Sequence, residues 1–268
     1  HAYGETMEIS GERSAYTVSE ADIPPGLYRT VTGVEALSWG LIAASQKTGL
    51  RMVYAGYPIT PASAILHTLS QLKHFNVITF QAEDEIAAVC AALGGSYAGA
   101  LGVTASSGPG IALKTEAIGL AVSVELPLIV VNVQRAGPST GLPTKTEQSD
   151  LYQAVFGRNA DSPLAVIAAR SPGDCFNTAI EAARIATKYM TPVMLLADGY
   201  MANASEPWLI PDTNSIEDMK HHIKVADAKA LPFVDNSFDV VISINTVHNL
   251  EEDECGRALQ EIERISRG

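Results

Sequence analysis

Arg135 stands where an apolar run ends. Leu126-Pro127-Leu128-Ile129-Val130-Val131-Asn132-Val133 reads as a buried strand. It breaks into Gln134-Arg135-Ala136-Gly137-Pro138-Ser139-Thr140-Gly141-Leu142-Pro143-Thr144-Lys145-Thr146, a stretch of small, turn-forming and hydroxylated residues. A guanidinium presents a planar fork of donors that suits a carboxylate or a phosphate. Thr140, Thr144 and Lys145 add donors nearby. A loop on the end of a buried strand is where α/β proteins commonly bind their ligands. The same pattern also describes an ordinary surface loop with a solvated arginine, and both readings stay open on local pattern.

Three other stretches carry chemistry of a similar kind. Tyr57-Pro58-Ile59-Thr60-Pro61 follows the short apolar run Met52-Val53-Tyr54-Ala55-Gly56. Pro61 suits a helix start, because its missing N–H costs nothing there. Thr60 is therefore expected at a strand-to-helix turn, near a helix N-terminus that favours anions. Glu83-Asp84-Glu85 opens a long helical pattern. Acids at that end offset the positive pole of the helix dipole, which accounts for all three equally. Gly102-Val103-Thr104-Ala105 leads into Ser106-Ser107-Gly108-Pro109-Gly110, a turn able to offer backbone N–H groups to a ligand.

The elements that must hold these loops alternate between strand and helix. Strands are expected near 52–56, 77–81, 102–105, 126–133, 164–167 and 192–198, with helices between them. The strands are apolar on both faces, which predicts an α/β fold with a parallel sheet covered by helices on both sides. Thr32 and Glu35 form a capping-box pattern that opens a helix running to about 46. The helix after Glu85 is built from Ala87, Ala88, Ala91, Ala92, Gly94, Gly95 and Gly99, so it can approach a sheet or another subunit closely. No loop matches GxxxxGK[ST], and no strand is followed by GxGxxG, which argues against a nucleoside triphosphatase or a self-contained nicotinamide enzyme.

At 268 residues, with 47% hydrophobic and 18% charged side chains, the chain has ample apolar material for a core. A formal net charge of -12 argues against nucleic acid or an anionic membrane as partner, since both call for basic patches. Cys90, Cys175 and Cys255 are widely spaced, with no CxxC pair for a zinc ribbon or an iron–sulfur cluster. Cys90, in its alanine-rich helix, is expected to be a small core residue. There is no signal-peptide pattern and no apolar run long enough to span a bilayer, so a cytoplasmic location is expected. The first residue is not Met, which is expected of a piece of a longer reading frame. Residues 1–27, ending near Pro24-Pro25-Gly26, read as an arm or linker.

Taken in order, the motifs around Tyr57–Pro61, Glu83–Ala88, Thr104–Gly110 and Gln134–Gln148, followed by Asp198-Gly199-Tyr200 and Ser205-Glu206-Pro207-Trp208, resemble the α subunit of 2-oxoacid:ferredoxin oxidoreductases of the 2-oxoglutarate type. The resemblance covers about residues 28–212, within an expected module of 28–215. It implies a module that binds the pyrimidine half of thiamine diphosphate. Glu85, directly before the small-residue run, matches the family's cofactor glutamate, which hydrogen-bonds the pyrimidine N1′ and promotes the imino tautomer. Tyr57, Pro58, Ile59, Ser107 and Gly108 are then expected at the cofactor. Thr60 and Arg135 match the family's contacts to the substrate carboxylate. Thr144 lies in the segment facing the rest of the substrate, and Lys145 would favour a second carboxylate. The resemblance places Mg2+, the diphosphate and a [4Fe-4S] cluster on a β subunit, with no metal site on this chain. Coenzyme A, the 2-oxoacid and ferredoxin act through the complex, and the chain unaided is expected to show no turnover.

After about Ser215 the pattern changes. Val225-Ala226-Asp227-Ala228, Leu231-Pro232-Phe233, Asp235–Ser243 and Val247-His248-Asn249-Leu250 resemble the middle of a class I S-adenosylmethionine-dependent methyltransferase, with a strand expected at 238–243. The Gly-rich cofactor loop of such enzymes is missing upstream, so residues 216–268 are expected to be a truncated fragment without that activity. The alternatives to an oxidoreductase subunit are therefore an inactive chimeric fragment or, less in keeping with the residues, a methyltransferase.

Overall fold

The computed structural model describes residues 19–220, 226–237, 241 and 250–266. Among them the strands are β1 (Tyr28–Thr32), β2 (Met52–Gly56), β3 (Val77–Gln81), β4 (Leu101–Ser106), β5 (Leu128–Gln134), β6 (Ala165–Ala168), β7 (Pro192–Asp198) and β8 (Ser205–Leu209). The helices are α1 (Gly33–Thr48), α2 (Ser63–Ser70), α3 (Glu85–Tyr97), α4 (Gly108–Ser123), α5 (Leu151–Phe156), α6 (Asp174–Tyr189), α7 (Gly199–Asn203) and α8 (Glu252–Ile265). Six strands form one sheet in the order β3-β2-β4-β5-β7-β6, and every pairing in it is parallel.

Helices cover both faces, as the apolar strands require. Along β5, Ile129, Val131 and Val133 face a core shared with α1, α2 and α6, whereas Leu128 and Val130 face one shared with α3 and α4. This is the period-two alternation of a strand buried on both sides. Thr32 caps α1 with the full capping box, since its hydroxyl accepts from Glu35 N while the Glu35 carboxylate accepts from Thr32 N at 2.9 Å. The small-sided α3 does lie tight on the sheet. A Cβ added at Gly102 would fall 2.3 Å from the Ala92 carbonyl oxygen, so only glycine permits this approach.

Two features were not legible beforehand. Tyr28–Thr32 leaves the expected arm to pair antiparallel with Ser205–Leu209 in a separate ribbon. Trp208 of that ribbon packs beside Phe176 and Trp39, with ring centroids 5.2 and 5.9 Å apart, and so ties β8 to α6 and α1. Cys90 is exposed and not a core residue, which corrects the expectation. Its helix is apolar nearly all round, so periodicity did not mark an outer face. The buried thiol is Cys175, pushed up to about 12 mainly by burial.

Packing onto the α/β body continues past Ser215. Ile216 lies against the main core, Met219 is part of it, and Met219 N donates to the Lys47 carbonyl at 2.9 Å. Farther on, Arg264 of α8 donates to the Leu231 and Phe233 carbonyls and pairs with Asp235 and Glu261. The strand expected at 238–243 lies outside the described residues except for Val241, as do Val247, His248 and Asn249. Among the described residues no helix is long and apolar enough to cross a membrane. Because Met219 is only 1% exposed, Met219→Ala is expected to cost about 2–5 kcal/mol of unfolding free energy, read by urea denaturation. Unchanged stability would set this residue outside the core.

Candidate active site

The carboxyl ends of β2, β4, β5 and β7 converge at one edge of the sheet. The chain moves outward from β2 to β3, then crosses back to β4 on the other side of β2. Such a reversal opens a crevice between neighbouring strand ends. Arg135 lies directly after β5 and is 8% exposed. Its Nη1 donates to the Thr60 carbonyl at 2.7 Å and its Nη2 to the Thr140 carbonyl at 2.8 Å. Thr60 therefore meets Arg135 through its main chain and not its hydroxyl. It also lies ahead of α2 instead of capping it, since that helix starts at Ser63 with Ala62 at its N-cap. Ser107, fully buried, places its hydroxyl 2.8 Å from the Val133 carbonyl and 3.4 Å from that of Thr60. Arg135 Nε is buried without a hydrogen-bond partner among the described residues. An unmatched buried donor costs about 1–3 kcal/mol, and a ligand acceptor would satisfy it.

A second cluster adjoins the first through Ser106 and Ser107. Asp84 caps α3 by accepting from Ala87 N at 2.7 Å, which starts the helix at Glu85. The Glu85 side chain lies over Gly110. A Cβ there would come 2.8 Å from Glu85 Cγ, 3.2 Å from its Oε1 and 2.0 Å from Ser106 Oγ. Ser106 and Asn132 are register partners on β4 and β5, and both are fully buried. Among the described residues, Ser106 Oγ and Asn132 Oδ1 have no hydrogen-bond partner. The Asn132 amide is held by Asp150, to which its Nδ2 donates at 2.9 Å, and Asp150 N donates to Gln134 Oε1 at 3.0 Å. Gln134 in turn donates to the Ala197 carbonyl at 3.1 Å.

The sequence-derived candidates thus fall into three places. Thr60, Ser107 and Arg135 form one hydrogen-bonded group, with Tyr57, Pro58 and Ile59 leading into it from β2. Glu85 belongs to the second cluster, at the foot of the turn carrying Gly108 and Gly110. Thr144 and Lys145 are exposed residues of the Arg135 loop. That loop closes on itself through Ala136 N to the Lys145 carbonyl and Leu142 N to the Ala136 carbonyl, both 2.9 Å.

Sequence reasoning passed over Asn132, Asp150 and Lys114. Lys114 had a signal, because it shares a helical stripe with Ile111 and Ile118, both buried. Its ammonium is fully buried and donates to the Glu85 main-chain carbonyl at 2.9 Å and to Thr104 Oγ1 at 3.0 Å. Burial pushes it down to about 8, against the opposing pull of Glu85, Cys90 and Asp84.

Residues 44–263 match the model of the family described as pyruvate flavodoxin/ferredoxin oxidoreductase, thiamine diphosphate-binding. The chain belongs to this family. The matched span runs through most of the stretch that the sequence pattern sets apart after Ser215, and the methyltransferase likeness stays a sequence expectation only. The chain is 62% identical over 219 residues to the 2-oxoglutarate oxidoreductase subunit KorA of Mycobacterium tuberculosis, covering 82% of this chain and 33% of that one. It is 42% identical over 172 residues to the 2-oxoglutarate synthase subunit KorA of Archaeoglobus fulgidus, covering 64% and 50% respectively. Among solved structures, it is similar to the 2-oxoglutarate:ferredoxin oxidoreductase of Magnetococcus marinus with 2-oxoglutarate, coenzyme A and succinyl-CoA bound. The TM-score is 0.71 at 28% identity, over all of this chain and 50% of that one. The chain therefore spans a third to a half of the length of these curated relatives.

The residues present suit a family cofactor with a polar heterocycle. Glu85 can meet a ring nitrogen, and Ser106 Oγ and Asn132 Oδ1 are buried polar atoms awaiting partners. Arg135→Met removes the tie to the Tyr57–Pro61 turn and the tie to Thr140 within its own loop. It is expected to destabilise the fold by about 1–3 kcal/mol, with faster amide exchange over residues 136–145. Unchanged exchange there would show that the loop holds itself.

Proposed function

We propose that this chain is the part of the α subunit of a 2-oxoacid:ferredoxin oxidoreductase, acting on 2-oxoglutarate, that binds the aminopyrimidine of thiamine diphosphate and the substrate carboxylate. The observation that carries the reading is the placement of Glu85 at the head of α3, beside the buried, unpartnered Ser106 Oγ and over a glycine that leaves it room. Membership of the thiamine-diphosphate-binding family and the names of the KorA relatives support it.

When bound, thiamine diphosphate would supply the nucleophilic carbon and the electron sink that oxidative decarboxylation needs. The chain's own residues orient and exchange protons. Glu85 would hold a proton at the pyrimidine N1′, in a half-buried site where such an interaction is stronger than in water. Asp84 fixes the backbone from which Glu85 projects. Arg135, with its terminal nitrogens on carbonyls, retains Nε for a substrate carboxylate, and Thr60 lines the same spot. Lys145, solvated and at the rim, would favour a second carboxylate, and Thr144 lies beside it. Tyr57, Pro58, Ile59, Ser107 and Gly108 would shape the wall on which the ring rests.

We place Mg2+, the diphosphate and the [4Fe-4S] cluster on a β subunit, and coenzyme A and ferredoxin at the assembled complex. An apolar face supports such a partner. Ile86 and Tyr97 of α3, Leu113 and Leu120 of α4, and Tyr152 and Phe156 of α5 are all exposed. Large exposed apolar residues gathered on neighbouring elements mark interaction surfaces.

Calorimetry of thiamine diphosphate with Mg2+, with and without the β subunit, tests the reading. Binding is expected only with the β subunit present, and Glu85→Ala should lower turnover by about a hundredfold or more, the scale of a lost general acid–base group. Absence of binding by the associated subunits would refute it.

A further inference from the structure

We propose that the cavity between α1, the β1–β8 ribbon and residues 210–216 binds a small organic anion with a flat apolar body. The body lies against the Trp39 and Trp208 rings, and Arg29 meets the acid group. This site is separate from the one around Glu85, because its walls belong to the α1–α6 side of the sheet.

The cavity holds about 570 Å3, inside the range of roughly 300–1,000 Å3 that small-molecule sites occupy. Trp39, Ala43 and Lys47 line it from one stripe of α1, each a turn beyond the last. Arg29 and Trp208 are register partners in the antiparallel ribbon, so their side chains share a face. Phe176 of α6 backs Trp208, with ring centroids 5.2 Å apart. Hydrogen bonds hold the cover in place. Ile210 N donates to the Leu27 carbonyl at 3.0 Å, and Met219 N to the Lys47 carbonyl at 2.9 Å. Across the rim, Gln46 Nε2 donates to the Phe75 carbonyl at 3.1 Å. These ties fix the walls from both ends, as a preformed pocket requires.

Charge selects the occupant. The chain carries 30 acidic and 18 basic residues, yet the charged residues lining this cavity are Arg29 and Lys47, with no acid beside them. Neither joins a salt bridge among the described residues. Arg29 Cζ lies 4.4 Å from the centre of the Trp39 ring, and this stacking accounts for where the guanidinium sits. Its terminal nitrogens are not used by that contact. The hydrogen bond Arg29 makes is a long one, from Nε to the adjoining Thr30 carbonyl at 3.5 Å. Glu35 is the acid that feels Arg29, but its carboxylate is already taken by Thr32, whose N–H is the main cause of its lowered pKa. A planar fork of donors beside indole faces suits a carboxylate or sulfonate carried on an aromatic ring. Lys47 sits two turns along α1 from Trp39, so it attracts the anion from the other end of the cavity without sharing its acid group.

Trp39 and Trp208 are the two tryptophans of the chain, so energy transfer from tryptophan reports on this cavity. The probe is the dye anilinonaphthalenesulfonate, with phenylnaphthylamine as the same ring system lacking the acid. Both are titrated into the whole chain, alone and with the β subunit. Saturable binding of the sulfonate with energy transfer is expected, several-fold tighter than that of the neutral dye. Arg29→Gln should weaken the sulfonate roughly fivefold and Lys47→Gln about twofold, while leaving the neutral dye unchanged. Ala43→Phe and Asn214→Phe, which fill the cavity from its wall and its rim, should abolish binding of both dyes. Circular dichroism shows which variants are folded, and two filling variants guard against one of them failing to fold. Equal affinity for the two dyes in wild type, or undiminished binding in a folded filling variant, overturns the proposal. So does displacement of the dye by the β subunit, which would make the cavity part of a subunit interface.

Discussion

The hydrogen bond from Arg135 to the Thr60 carbonyl joins two strand ends that the chain sequence holds far apart. β2 and β5 are separated in the sheet by β4, whose own end contributes Ser107 between them. A guanidinium can span that gap because it is long, planar and carries several donors in fixed directions. Once its Nη atoms are committed to Thr60 and Thr140, the Arg135 loop and the Tyr57–Pro61 turn cannot move independently. Nε is left buried without a hydrogen-bond partner among the described residues.

Close approach of backbone elements makes the rest of the site possible. Gly102 lets α3 settle onto β4, and Gly110 leaves space for the Glu85 side chain against Ser106. Larger residues at either point would drive α3 outward and carry Glu85 with it. The small residues of α3 therefore serve two ends, a tight inner contact with the sheet and a flat outer face that stays exposed.

Polar groups that cost stability gather at the same place. Ser106 Oγ, Asn132 Oδ1 and Arg135 Nε are buried without partners, and Lys114 is a buried cation bonded to neutral oxygens. A fold selected for stability alone would replace such groups with apolar ones. Ser38 Oγ of α1 and Ser162 Oγ are also buried without partners among the described residues, but Ser106, Asn132, Arg135 and Lys114 lie at the carboxyl ends of β4 and β5 and on α4, next to the cores on either side of the sheet. There Leu128 and Ile129 pack among aliphatic and alanine side chains.

By itself the sequence determined the elements and their order. Apolar runs of strand length, the Thr32–Glu35 capping box and the acids before α3 each act through neighbours a few residues away, so they are legible without a structure. It also pointed to the loops proposed to carry the chemistry, because Thr60, Ser107 and Arg135 follow buried strands, whereas Glu85 follows the largely exposed edge strand β3. Tertiary structure decided how those loops meet. Strand order, the β1–β8 ribbon, the exposure of Cys90 and the use of carbonyls rather than hydroxyls by Arg135 depend on residues far away in the chain. Periodicity tells which side of a helix or strand is apolar, but not which element will lie across it. Lys114 shows the limit most clearly: its place on a buried stripe is written in Ile111 and Ile118, yet only the packing of α4 under α3 brings its ammonium to Glu85.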